Sequence, residues 1–164
     1  MGRLPWGHPE DKEGAPTVAT RGQRFLGSYT YQLDEKGRVS LPAAFRREAP
    51  DQCFVLVQPY PPALTLYPEA AWSEVEDRFR ELRERQPKSR DYLLRMMASA
   101  VEVVPDAQGR ILIPARLQEA AELKGSVLVV GVIDRIELWN PDRFEEVTRA
   151  GAAEWEQYGP QVFR

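Results

Sequence analysis

The stretch Asp34-Glu35-Lys36-Gly37-Arg38-Val39-Ser40-Leu41-Pro42 returns 72 residues later as Asp106-Ala107-Gln108-Gly109-Arg110-Ile111-Leu112-Ile113-Pro114. Extended outward without gaps, the match runs from Asp34–Val75 against Asp106–Val147, and 12 of its 42 positions are identical. Identities include Asp34/Asp106, Gly37/Gly109, Arg38/Arg110, Pro42/Pro114, Ala43/Ala115 and the triplet Val55-Leu56-Val57 against Val127-Leu128-Val129. Pairs such as Val39/Ile111, Leu41/Ile113, Phe45/Leu117, Tyr67/Trp139 and Trp72/Phe144 keep the apolar pattern in phase. Such self-similarity is the signature of a duplicated supersecondary unit, here suggesting an internal pseudo-dyad.

Each copy reads as strand, turn, short strand ending at a proline, brief helix, two more strands and a helix. Tyr29, Tyr31 and Leu33 alternate as on a half-buried strand, and Val39 and Leu41 continue the alternation beyond the turn. The segment is therefore expected to be hairpin-like. Pro42 and Pro114 end the short strands, because proline lacks an amide donor but suits the first turn of a helix. Runs 53–57 and 127–132 are apolar enough to predict buried strands of a barrel-like core. Trp72, Val75, Phe79 and Leu82 form one stripe on a charged helix that Pro87 ends, and Tyr92, Leu93, Met96, Met97 and Ala100 form the face of another. The last helix starts at the cap Asn140-Pro141 and runs towards Tyr158, with Gly151 a weak point inside it.

The predicted fold is α+β and β-rich: two tandem units forming a pseudo-symmetric β-barrel core with flanking helices. The expected divisions are a disordered extension (1–22), a first unit (24–75), connecting helices (76–100), a second unit (101–147) and a C-terminal helix and tail (148–164). Few groups in the extension could offset the entropy of ordering it, so it is expected to be dispensable.

With 164 residues, 43% hydrophobic and 29% charged, the chain has a globular composition and no apolar run long enough to span a bilayer. No signal-peptide core follows Met1, and the lone Cys53 sits in an apolar run; both predict a reducing, cytoplasmic setting and a buried thiol. The net charge is −3, yet residues 21–47 carry Arg21, Arg24, Lys36, Arg38, Arg46 and Arg47 against only Asp34 and Glu35. Concentrated cations suit phosphate.

In the turn, aspartate accepts backbone amides and glycine tolerates positive φ, so a structural role accounts for Asp34, Gly37, Asp106 and Gly109. It accounts less well for arginine in both copies, since that side chain suits bidentate phosphate or guanine contacts. Candidate DNA-binding residues are Lys36, Arg38, Arg46, Arg47 and Arg110, with the better-furnished first copy expected to dominate. The sole histidine, His8, lies far from Cys53 in sequence, and no zinc cluster or phosphate-cradling glycine loop is present, so no catalytic residues, metal, cofactor or small-molecule substrate are expected.

Taken with Phe25-Leu26-Gly27-Ser28-Tyr29, Val129-Val130-Gly131 and Ile136-Glu137-Leu138-Trp139, the doubled turn resembles the MraZ family over residues 24–147. That family is similar to the AbrB-type swapped-hairpin transcription factors, with two such units fused in one chain. The resemblance implies a nucleoid-associated regulator of the bacterial cell-division and cell-wall gene cluster. It also implies a ring-shaped homo-oligomer that binds direct repeats in double-stranded DNA near its own promoter, with Arg38 and Lys36 as contacts. The segment before Arg24 departs from the family pattern. The competing expectation is a self-assembling scaffold or antitoxin-like, partner-binding protein whose arginine turns sit at subunit contacts.

Overall fold

A computed structural model describes residues 22–49 and 51–163, so the extension expected over 1–22 lies outside the described residues apart from Gly22. The first half runs β1 (Phe25–Gln32), β2 (Arg38–Ser40), α1 (Ala43–Glu48), β3 (Phe54–Val57), β4 (Leu64–Pro68) and α2 (Glu69–Arg85). A 3-10 turn opened by Pro87 leads into α3 (Arg90–Ser99). The second half repeats the order with β5 (Val101–Val103), β6 (Arg110–Leu112), α4 (Ala115–Ala120), β7 (Ser126–Ile133), β8 (Arg135–Trp139) and α5 (Pro141–Ala150), followed by α6 (Trp155–Val162).

The strands pair across the halves. Six form one antiparallel sheet in the order β1-β7-β8-β4-β3-β5, so each half's first strand lies against the other half's central hairpin. The remaining two, β2 and β6, pair with each other as a separate ribbon. Two expectations are corrected by this. The turn at Asp34–Gly37 does not close a hairpin, because β1 pairs with β7 while β2 pairs with β6. Nor is the sheet closed into a barrel: its pairing is open, with edges at β1 and β5. The reason is not local. Within the turn Asp34 donates its amide to the Arg38 carbonyl at 2.9 Å and Gly37 donates to the Asp34 carbonyl at 3.0 Å, but on either side of it the chain bonds to the other half, Leu33 N–H to the Gly125 carbonyl at 2.6 Å and Leu41 N–H to the Gly109 carbonyl at 2.9 Å.

Phe25, Val39, Phe45, Phe54, Leu56, Leu64 and Leu66 of the first half share one core with Ile111, Ile113, Leu117, Val127, Val129, Ile136 and Leu138 of the second. Neither half has enough elements to bury its apolar face alone, so the interleaving is what makes one core. Truncating a buried leucine here to alanine is worth roughly 2–5 kcal/mol.

The structure also shifts the internal match. At an offset of 72, Val55 matches Val127, but these two face different ways: Val127 lies in the shared core, whereas Val55 and Val57 lie in a second cluster with Tyr67 and Trp72. The true counterpart of Val127 is Phe54. Phe54 pairs with Val103 and Val127 pairs with Tyr31, and Tyr31 and Val103 are themselves 72 apart. One extra residue thus precedes β7, and the offset returns to 72 at Leu64/Ile136 and Leu66/Leu138, all four in the core. A one-residue slip turns every side chain of a strand to the other face, so burial and not identity decides the alignment. The matching triplet reflects shared strand composition.

Helices α2 and α3 cover the outer face of β3 and β4, where Trp72, Val75, Phe79, Met96 and Met97 pack on Val55 and Val57. All four β3 residues are accordingly buried. In β7 the pattern alternates instead, Val127 and Val129 buried but Leu128 and Val130 only half-buried, which corrects the continuous burial expected of run 127–132. The Asn140 side chain caps α5 by accepting from the amides of Asp142 and Arg143 at 2.9 and 3.2 Å. Gly151 ends that helix, and the chain resumes as α6, so the single helix expected towards Tyr158 is two. Cys53 is free and half-buried at the start of β3, not buried as expected from its apolar neighbours, and burial raises its thiol pKa.

Candidate nucleic-acid interface

Both turns are built alike by their aspartates. Asp34 Oδ1 accepts the backbone amides of Lys36 at 2.9 Å and Arg38 at 2.8 Å, while Oδ2 accepts the Arg38 Nε at 2.7 Å. Asp106 Oδ1 accepts from Gln108 at 2.9 Å and Arg110 at 3.0 Å, and its Oδ2 takes the Arg110 Nε at 3.1 Å. The backbone amide of Arg38 is the main cause holding the Asp34 carboxyl below the usual carboxylate range, with the guanidinium adding to it against partial desolvation. Arg110 does the same for Asp106. Gly37 and Gly109 close the turns at φ of +83° and +76°, a conformation costly for other residues.

The aspartates engage the inner nitrogen of each arginine. Among the described residues the Nη1 and Nη2 atoms of Arg38 have no acceptor, and Nη1 of Arg110 has only the distant Asp34 Oδ2 at 3.9 Å. Each guanidinium is thus oriented by its stem side while its outer fork stays available, a preorganised donor pair suited to phosphate or a guanine edge.

The β2–β6 ribbon places these forks on one surface. Its pairs are Arg38↔Leu112, Val39↔Ile111 and Ser40↔Arg110. Val39 and Ile111 point into the core, 1% and 0% exposed. By strand alternation, Arg38, Ser40, Arg110 and Leu112 share the opposite face. The ladder continues outward through Leu41 N–H to Gly109 O at 2.9 Å and Ile113 N–H to Gly37 O at 2.8 Å, so the turns stand at the ribbon's two ends.

Not every candidate joins this surface. Lys36 is exposed at the tip of the first turn. Arg46, on α1, reaches across to the second turn: a β-carbon on Gly109 would lie 2.6 Å from its Cζ, and its Nε is buried without a hydrogen-bond partner. Arg47 faces elsewhere, lining a cleft of about 660 Å³ with Gln23, Cys53, Glu69, Glu74 and Asp134. Consecutive helical residues point about 100° apart, so Arg46 and Arg47 could not both face the turns. A residue not singled out from the sequence completes the symmetry: Gln118, the counterpart of Arg46, lies against Gly37 and donates from Nε2 to the Ile113 carbonyl at 2.7 Å. The repeat offset itself was the signal that could have found it. Among the described residues no cluster of His, Cys, Asp and Glu could hold a metal ion, and no helix is long and apolar enough to cross a membrane.

Comparison with known proteins bears on the same segments. The family described as "MraZ protein, putative antitoxin-like" matches residues 24–95 and again 96–157. The chain is 37% identical over 132 residues to the protein named Transcriptional regulator MraZ of Moorella thermoacetica, covering 80% of this chain and 92% of that one. It is 38% identical over 122 residues to the protein of the same name in Pediococcus pentosaceus, covering 74% and 85% respectively. Against that of Desulforamulus reducens it is 32% identical over 138 residues, covering 84% and 96%. With two family matches that together hold both arginine turns, and relatives alike over nearly their whole length, the chain belongs to the MraZ family.

Proposed function

We propose that this chain is a sequence-specific DNA-binding transcriptional regulator and that the outer face of the β2–β6 ribbon is its DNA-reading surface. The observation that carries the reading is the pair of aspartate-oriented arginines, Arg38 and Arg110, on one face of a two-stranded ribbon. A ribbon of this kind fits the major groove, about 12 Å wide, where arginine forks match guanine edges. Lys36 at the ribbon's end adds phosphate attraction, and Arg46, close behind Gly109, adds positive potential. Arg47, in its separate cleft, is assigned to long-range attraction only.

The exchange of first strands between halves supports assigning the fold to the swapped-hairpin class, with two units in tandem. The relatives' printed name supports transcription regulation without enzymatic activity. The finer reading is that of the family: a cytoplasmic, nucleoid-associated homo-oligomeric ring engaging direct repeats upstream of a cell-division and cell-wall gene cluster that includes its own gene. The apolar groups Trp155, Tyr158, Val162 and Phe163, each at least half exposed, support self-association.

A gel-shift series with fragments including the chain's own upstream region, at two salt concentrations, tests the reading. Selective retardation that weakens as salt rises is expected. Equal binding to every fragment would remove the sequence-specific part. Light scattering that finds a stable monomer at micromolar concentration would remove the assembly.

A further inference from the structure

The ribbon's outer face is symmetric in its arginines and asymmetric in everything between them. Arg38 and Arg110 occupy equivalent positions of the two halves, and so do Ser40 and Leu112. One half therefore places a hydroxyl where the other places an isobutyl group. The flanking bonds at Gly37/Ile113 and Leu41/Gly109 make those the hydrogen-bonded pairs of the ladder. By alternation, Arg38/Leu112 and Ser40/Arg110 are the closely spaced pairs, with side chains side by side. Leu112 is 55% exposed although its strand neighbours Ile111 and Ile113 are at most 1% exposed. It is an apolar group held out beside an arginine fork on a rigid strand, and the core makes no use of most of it.

We propose that Leu112 is a specificity-determining residue that reads the C5-methyl group of a thymine next to the base contacted by Arg38, while Ser40 makes the second half-site tolerant at the corresponding base. The major groove is where this chemistry exists: thymine alone among the bases offers a methyl group there, and apolar side chains recognise it. The recognised site is then quasi-symmetric, with two arginine contacts but one methyl-dependent step, so the protein prefers one orientation on it. This inference rests on the DNA-reading role of the ribbon and adds to it a directional element.

The test begins with duplexes recovered by the wild-type protein from a random-sequence library. Each is remade with deoxyuridine at individual thymidines, which removes only the methyl group. Binding is followed by fluorescence anisotropy for the wild type, Leu112→Ser and Ser40→Leu. Removal of the methyl at the Leu112 half-site is expected to weaken wild-type binding roughly three- to tenfold, the scale of one buried carbon, and removal at the Ser40 half-site to leave it unchanged. Leu112→Ser is expected to bind the thymidine duplex as weakly as the wild type binds its deoxyuridine version and to ignore the substitution. Ser40→Leu is expected to gain methyl dependence at the symmetry-related base.

Wild-type binding that is tight and salt-sensitive yet indifferent to every methyl would overturn this inference alone. Absence of salt-sensitive binding by the wild type would overturn the DNA-reading role as well. Should Leu112→Ser keep the wild type's methyl dependence, or change the particle mass in light scattering instead, Leu112 is not the reader. Both substituted positions are on the solvent face, and unchanged melting temperatures are the expected control.

Discussion

At the first turn Asp34 spans the amides of Lys36 and Arg38, and at the second Asp106 spans those of Gln108 and Arg110, with bond lengths that agree within 0.2 Å position by position except at the guanidinium, 2.7 against 3.1 Å. What is laid over each glycine differs: the neutral Gln118, hydrogen-bonded to the Ile113 carbonyl, over Gly37, and the charged Arg46, with an unpartnered Nε, over Gly109. The sequence counted cations per copy and expected the first copy to dominate. In the fold, α1 of the first half carries one of those cations, Arg46, to the turn of the second. Charge belongs to a surface, and here each surface is assembled from both halves.

The sharpest way to break this comparison is to remove the arginines. Arg38→Ala and Arg110→Ala are each expected to cost roughly 1–3 kcal/mol of operator binding if they read bases, and the double variant more. In an assembly the loss multiplies with the number of ribbons engaged. Anisotropy titrations of all three variants at equal oligomeric state check this. If only one arginine matters, the equal treatment of the two turns fails.

Next are the glycines. Both sit at positive φ, so alanine is strained at either by about 1 kcal/mol. At Gly37 the new β-carbon also meets the Gln118 amide and lies 3.0 Å from the Ile113 carbonyl oxygen, which is backbone and cannot swing away. At Gly109 it meets only the Arg46 side chain, which can. Gly37→Ala should therefore be the more destabilising, and urea denaturation of the two variants measures the difference.

A smaller effect is expected from pH. The carboxyls of Asp34 and Asp106 are both held below their ordinary value of 3.8 in the folded chain. A depressed folded pKa means that the unfolded chain takes up the proton first on acidification. Their contribution to stability is thus complete above about pH 5 and is lost as pH falls through 3.8 and below. Melting curves between pH 6 and 3 should show this acid limb in the wild type. Asp34→Asn and Asp106→Asn should each flatten it by a similar amount, since the same set of bonds acts on both.

Smallest is Arg46→Gln, which installs the residue of the other half. A glutamine can donate to the Leu41 carbonyl as Gln118 donates to that of Ile113, relieving the unpartnered Nε. A stability change within about 1 kcal/mol, of stabilising sign, is expected by thermal melting. A marked loss of DNA binding in the same variant would show that Arg46 belongs to the reading face after all.

By itself the sequence determined the elements and the turns. Alternation at Tyr29–Leu33, the strand stops at Pro42 and Pro114, the cap at Asn140 and the stripe from Trp72 to Leu82 are local signals, set by the backbone periods of two and 3.6 and by which residues can donate an amide. It also carried the arginine pair, because a duplicated long cation in two otherwise divergent copies is visible without coordinates. Partnership was decided only by the tertiary structure. Nothing local in Arg38-Val39-Ser40 says that it pairs with Arg110-Ile111-Leu112 and not with β1, and nothing in Val127-Leu128-Val129 says that its counterpart is one residue away from the identical triplet. Both were settled by burial: Val39 and Ile111 can leave water together only by pairing over a shared core, and a strand whose side chains alternate faces admits just one of two neighbouring registers.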